Sequence, residues 1–325
     1  MSSPRIRRTL LAACVAVAAA TVAPTAAAWT DRPVRMVVPA PPGGTMDVVA
    51  RVLAEQLAAE LGQPVVVDNK PGGGGVIGIQ ALLQAPADGT TVMVTASNVL
   101  TEIPHVVKTP YDAMKDVRPI AAIARSTMVM VGAPSFAPAD LKAVVEHAKA
   151  NRGTVSFASY SAGTASQYAG MILAQKAGIE LTHVPFQGSP PGLQQVMGGH
   201  IPLMFDGIVT SLPLVNGNKI KAYAIASKTR SPYLPNVPTF AELGYPDMDF
   251  SNWIGVVASA QVPPALAARI NAAVLKAAAA PKLRDRLTAA GFEVGLTQSS
   301  DALAQAVRAE SERNAAIVRT FDIKL

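Results

Sequence analysis

Val37-Val38-Pro39-Ala40-Pro41-Pro42-Gly43-Gly44-Thr45-Met46-Asp47 is the stretch from which the rest of the chain can be read. Val34 to Val38 is a short apolar run that reads as a strand, and Pro39, Pro41 and Pro42 stop it and stiffen its exit. Gly43 and Gly44 carry no Cβ, so the backbone can turn sharply there and lie against a ligand. Thr45 is a good N-cap residue, and Val49, Val52, Leu53 and Leu57 then form an apolar stripe at helical spacing. Strand, glycine turn and helix start make an anion site, because the first N–H groups of a helix lack intrahelical partners and the dipole favours negative charge there. A tight turn that binds nothing is the competing reading. On the first reading, a branched side chain at Gly43 or Gly44 blocks close approach and weakens binding.

Upstream of this stretch, residues 1–28 have the layout of a secretory signal peptide. Arg5, Arg7 and Arg8 form a positive start, Leu10 to Val22 is apolar, and Ala26-Ala27-Ala28 offers a cleavage site before Trp29. Leu11-Ala12-Ala13-Cys14 resembles a lipoprotein box, but the apolar run continues past it, so the lipid-anchored reading is set aside. Arg7-Arg8 matches twin-arginine export poorly. Cys14 is the one cysteine, so a chain cut after Ala28 has no disulfide, thiol nucleophile or thiolate metal site. The formal charge is +6; three of those charges belong to Arg5, Arg7 and Arg8, and no acid lies in residues 1–28, which leaves +3 for the remainder. No basic stripe interleaved with aromatics occurs, which argues against nucleic acid as a partner. With 50% hydrophobic and 15% charged residues over 325 positions, the chain can build a large core and divide into two domains.

Downstream, strands and helices alternate with short turns. Val65 to Val67 and Thr91 to Thr95 read as strands, separated by Gly72-Gly73-Gly74-Gly75 and a helix from about Val76 to Leu83. Such alternation predicts an α/β fold with a mostly parallel sheet covered by helices. Ala121 to Ala124 and Met128 to Val131 read as two strand pieces near the passage to a second domain. A second βα series follows: a helix from Pro138 to about Ala150, a strand over Val155 to Ala158, and a helix from about Gln167 to Lys176. Between these last two lies Ser159-Tyr160-Ser161-Ala162-Gly163-Thr164-Ala165-Ser166, a second small-residue turn and a second candidate anion cradle. Leu181 to Val184, Ile201 to Phe205 and Lys221 to Ala226 read as further strands. Trp253 to Val257 reads as a strand returning to the first domain, followed by helices over Ala265 to Ala279, Lys282 to Ala289 and about Asp301 to Arg319, the last capped by Ser299 or Ser300.

Reactive chemistry is scarce. Gly73-Gly74-Gly75-Val76-Ile77-Gly78 fits the dinucleotide pattern, but the acidic residue expected about 20 positions on is missing. His105, His147, His183 and His200 are scattered without metal-ligand spacing, and no nucleophile elbow occurs. No cofactor and no metal are therefore expected. Asp47 can serve the helix start or touch a ligand; Asp206 can bind a ligand amine or hydroxyl, or cap a loop. The strand ends expected to face a ligand carry Pro42, Gly43, Gly44, Thr45, Met46, Asp47, Ser97, Ser161, Ala162, Gly163, Thr164, Ser166, Gln187, Gly188 and Asp206.

Several segments in order resemble the Bug family, the periplasmic solute-binding receptors of tripartite tricarboxylate transporters. They are Arg32 to Pro39 with Pro41 to Asp47, Leu61 to Gly72, Ala87-Asp88-Gly89, Pro110-Tyr111-Asp112, His183 to Gly188, and Leu234 to Thr239. Ala40, Lys70 and Phe186-Gln187 depart from the family's usual aromatic, Arg and Tyr-Lys, which bears on the ligand more than on the fold. The resemblance implies a two-lobed type II periplasmic-binding-protein fold, each lobe a mostly parallel sheet flanked by helices. Residues 29–127 and 251–325 would form one lobe and 128–250 the other. It implies one ligand carboxylate on the N–H groups of the Pro42 to Asp47 turn, partly through water, with contacts from the second lobe at Ser161 to Ser166. The resulting expectation is a monomeric, non-enzymatic periplasmic receptor that hands a small organic carboxylate to membrane transporter subunits. A ligand-loaded sensor partner, or an enzyme on the same scaffold, are the alternatives.

Overall fold

The structure is a computed structural model that describes residues 29–296, 299–321 and 323. The signal-peptide reading and the box at Cys14 lie outside the described residues. The chain opens with β1 (Val34–Val38), α1 (Thr45–Leu61), β2 (Val65–Asn69), α2 (Val76–Leu83), β3 (Thr91–Ala96), α3 (Asn98–Thr101) and α4 (Ala113–Asp116). β4 (Val117–Gly132) leads to α5 (Leu141–Ala150), β5 (Ser156–Ser159), α6 (Ala165–Ala177), β6 (Thr182–Pro185), α7 (Ser189–Met197), β7 (Leu203–Gly207), α8 (Ile208–Asn216) and β8 (Lys221–Ala226). β9 (Ser251–Ser259), α9 (Pro264–Ala279), α10 (Pro281–Ala289), β10 (Glu293–Val294) and α11 (Ser300–Thr320) complete it.

Two lobes result, each built on three parallel strands. β2, β1 and β3 are parallel neighbours in the first, and β6, β5 and β7 in the second. β3 is buried at all six positions and β1 at four of five, the pattern of strands covered on both faces. α1 lays Val49, Val52, Leu53, Leu57 and Leu61 on the sheet and ends at Gly62, whose φ of 64° only glycine adopts at little cost.

β4 joins the lobes. From Val117 to Thr127 it pairs antiparallel with β9; from Met128 to Gly132 it pairs with β7 and β8. The partner change falls between Thr127 and Met128, opposite Ser251, and the Met128 N–H donates to Phe250 O at 3.2 Å. The core follows the same path. One apolar cluster runs from Met36, Leu53 and Ile254 through Ala124 and Val129 to Met204 and Leu193, so the lobes share packing along the crossing strands.

Several local expectations need correction. The two strand pieces around Ala121 and Met128 are one sixteen-residue strand, because Arg125, Ser126 and Thr127 pair with β9 despite their polarity. The helix expected from Pro138 begins at Leu141, because the Asp140 carboxylate accepts from the Ala143 N–H at 2.8 Å and caps it there. The helix expected from Gln167 begins two residues earlier. α8 has no counterpart in the sequence reading, because Pro213 lies inside it.

Candidate ligand-binding cleft

Between the lobes lies a cleft at the carboxyl ends of the parallel strands. Five helix starts reach its wall: Thr45 and Met46 of α1, Gly75 before α2, Asn98 of α3, Gly188 and Ser189 of α7, and Gly207 before α8. Pro39, Pro41, Gly72, Gly74, Ser126, Thr127, Tyr160, Ser161, Gln187 and Asn252 fill the gaps. No Asp, Glu, Lys, Arg or His lies on this wall among the described residues. The cavity holds about 90 Å³, room for a few waters or one small organic molecule. The lobes are close together. A Cβ placed on Gly188 would stand 2.6 Å from Cγ of Pro41, and one on Gly74 would stand 3.3 Å from the hydroxyl of Ser161.

On the first lobe the expected residues divide. Gly44, Thr45 and Met46 line the cleft, whereas Pro42 and Gly43 are exposed and off its wall. Asp47 is buried and turned inward. Its Oδ2 accepts from the Gly43 N–H at 2.9 Å and from Arg51 Nε at 2.8 Å, and its Oδ1 accepts from Asn69 Nδ2 at 2.9 Å. Burial opposes the charge on Asp47, but these hydrogen bonds outweigh it and hold the carboxyl below its ordinary value. Asp47 thus clasps the turn to α1 and to β2, and it consumes the Gly43 N–H that was expected to serve a ligand. Ser97 is also buried behind the wall; its hydroxyl donates to Asn252 Oδ1 at 3.0 Å and orients that cleft-lining amide.

On the second lobe the expected cradle is filled by the protein itself. Ser161 lines the cleft, but Ala162, Gly163, Thr164 and Ser166 do not. Glu102, from the first lobe, reaches over and accepts from the Ala165 N–H at 2.6 Å, taking the anion position at the start of α6. Gln167 Oε1 accepts from the Gly163 N–H at 2.7 Å, and the Ser166 hydroxyl donates to Phe205 O. Burial drives the Glu102 carboxyl up to about 8. The start of α7 instead brings Gln187, Gly188 and Ser189 to the second-lobe side of the wall. Asp206 is wholly buried beside the start of α8 and off the wall. Its Oδ2 accepts from the hydroxyls of Thr210 at 2.6 Å and Ser211 at 2.8 Å, its Oδ1 has no partner, and burial raises its carboxyl above the ordinary value.

Sequence reading missed Gly72, Gly74, Asn98, Ser126, Thr127, Ser189, Gly207 and Asn252. The four-glycine run carried a signal, which was weighed against the wrong ligand class. Ser126, Thr127 and Asn252 carried none, because they sit within strands rather than at their ends.

Residues 49–323 match the sequence profile described as Tripartite tricarboxylate transporter family receptor. The protein BugT of Bordetella pertussis is 32% identical over 302 residues, which cover 91% of this chain and 91% of that protein. The solved periplasmic binding protein BugD superposes with a TM-score of 0.85 at 31% identity, covering 91% of this chain and 99% of that one. MatC of Rhodopseudomonas palustris, solved with bound malate, superposes with a TM-score of 0.83 at 31% identity, covering 89% and 99%.

Proposed function

This chain belongs to the tripartite tricarboxylate transporter receptor family, and from that premise we propose that it captures a small organic carboxylate between its lobes and delivers it to the membrane subunits of such a transporter. Residues 29–127 with 251–325 act as one lobe and 128–250 as the other, a division supported by the partner change on β4. The protein works in the periplasm as a monomer, after loss of residues 1–28.

One observation carries this reading: five helix starts converge on a wall without an ionised side chain. The starts turn the positive ends of their dipoles toward the wall; the N–H groups of Gly75 and Gly188 already donate to Gly72 O and Tyr160 O, whereas those opening α1 have no intrahelical partner. An anion seated there is neutralised by fixed backbone dipoles, and closure removes water and strengthens every such hydrogen bond. The N–H groups opening α1, at Thr45 and Met46, hold the carboxylate, while Ser161, Gln187, Gly188 and Ser189 contact the rest of the ligand. The wall offers no acid–base pair for turnover, and the family is one of receptors, which together favour binding over catalysis. The bound malate of MatC supports the ligand class.

Thermal shift and calorimetry against mono-, di- and tricarboxylates test the reading. Stabilisation by at least one acid, with one-to-one stoichiometry, is expected. Folded protein that none of them stabilises would overturn it.

A further inference from the structure

At the lip of the cleft a carboxyl group passes from one lobe to the other. Glu102 follows α3 in the first lobe, and it accepts from the N–H of Ala165, the first residue of α6 in the second, at 2.6 Å. Its neighbour Ile103 packs against Gly74, and Gly74 faces the Ser161 hydroxyl across the cleft. A movement that parts Gly74 from Ser161 therefore parts Glu102 from Ala165 as well. With the lobes together Glu102 is 4% exposed, and no cation of the described residues stands within ion-pairing distance of it. The titratable groups that face it are Glu310 and Arg313 on α11, and Tyr160 and Tyr168 from the second lobe. Glu310 in turn faces Arg125 on β4, Tyr160 faces Asp206, and His105, just after Glu102, bonds to Ser311 of α11 at 2.8 Å.

An ionised carboxylate loses its hydration on burial, and one backbone N–H with a second acid nearby does not replace it. The neutral acid is the form that the closed lobes accommodate, and it still accepts from Ala165 through its carbonyl oxygen. Resting on the carboxylate reading above, we propose that Glu102 makes capture proton-linked: closure of the lobes over the ligand takes up one proton at its carboxyl, and opening gives that proton back to solvent. The ligand enters as an anion and stays one; the proton comes from water or buffer and ends on the protein. In the open form Glu102 meets water and titrates near its ordinary 4.5, whereas in the closed form burial lifts it to about 8. Between those values closing takes up a proton, so raising the pH favours the open form and weakens binding. Glu310 does not share this role. It accepts from the Thr101 hydroxyl at 3.1 Å within the first lobe, and separation of the lobes leaves that contact in place.

Calorimetry in paired buffers of different ionisation enthalpy, PIPES and imidazole, counts the protons exchanged on binding. Lactate, malate and citrate are titrated into wild type, Glu102→Gln and Glu310→Gln at pH 7, and the tightest binder again at pH 6. Wild type takes up about one proton per ligand, and its Kd rises about tenfold from pH 6 to pH 7, the slope that one proton sets. Glu102→Gln keeps an oxygen for Ala165 and has no proton to exchange. It binds with no uptake beyond the ligand's own, and its Kd changes by less than about twofold over the same pH step. Glu310→Gln retains the uptake of wild type. Wild-type binding without proton uptake, uptake of the same size in Glu102→Gln, or uptake lost only in Glu310→Gln overturns the inference while leaving the receptor reading intact. Failure of every acid to bind overturns both.

Discussion

The carboxylate of Glu102, carried by the first lobe, accepts a 2.6 Å hydrogen bond from the N–H of Ala165, which opens a helix of the second. Burial, with a smaller push from Glu310, lifts its carboxyl from the ordinary 4.5 to about 8, against the Ala165 N–H and Arg313, which favour the charged form. Tyr160 and Tyr168 also face it, and both phenols are pushed up mainly by burial. An acid with a raised pKa holds its proton more tightly in the folded than in the unfolded chain. Its stabilising contribution is therefore complete below about pH 4.5 and is lost as pH climbs through about 8. The melting temperature of wild type should fall between pH 5 and 9. Glu102→Gln keeps an oxygen for Ala165 and has no proton to lose, so its profile should be flatter. Parallel profiles would remove Glu102 as the cause.

Gly188 has φ of 113° and lies against Pro41 across the cleft. A valine there meets the proline ring only when the lobes approach, and its backbone conformation is strained. Gly188→Val should lower ligand affinity at least tenfold and enlarge the ligand-bound radius of gyration in X-ray scattering. A wild-type radius with wild-type affinity would show that the mouth tolerates the side chain.

Gly43 and Gly44 should behave differently, which refines the sequence expectation that treats them alike. A Cβ on Gly43 meets nothing within 4 Å, but its φ is +79°, so Gly43→Ala should cost about 1 kcal/mol of stability and leave affinity near wild type. A Cβ on Gly44 stands 3.2 Å from Pro41 O on the cleft wall, so Gly44→Val should weaken binding by tenfold or more. Denaturant titration and calorimetry on both variants separate the two effects; equal affinity losses would contradict the assignment.

Asp47→Ala strips partners from Gly43, Arg51 and Asn69 together. A loss of about 1–3 kcal/mol is expected in denaturant unfolding, the usual cost of orphaning buried hydrogen-bonding groups. Unchanged stability would mean that the clasp is redundant with the bond from Asn69 to Ala40 O.

Where the chain announces its turns, the sequence was a good guide. Gly44, Thr45 and Met46 follow a strand and three prolines, and local chemistry alone brings them to the cleft wall. Lys221 to Ala226 and Val76 to Leu83 have the same bounds in sequence and structure, because apolar patterning decides both. Ala162 to Ser166 carries the same local signs as the first turn, yet a carboxylate distant in sequence fills it, and no local pattern discloses Glu102. Ser126 and Asn252 reach the cleft only because β4 and β9 run side by side between the lobes. That pairing belongs to topology, not to turn chemistry.

A wall lined by backbone dipoles rather than ions also sets how a guest arrives. Dipolar fields fade within a few ångströms, so the wall itself exerts little pull on a distant anion and gives added salt little to screen. Capture should proceed at an unsteered diffusional rate that is nearly the same in dilute and concentrated salt. Discrimination between guests then falls to how long each one stays.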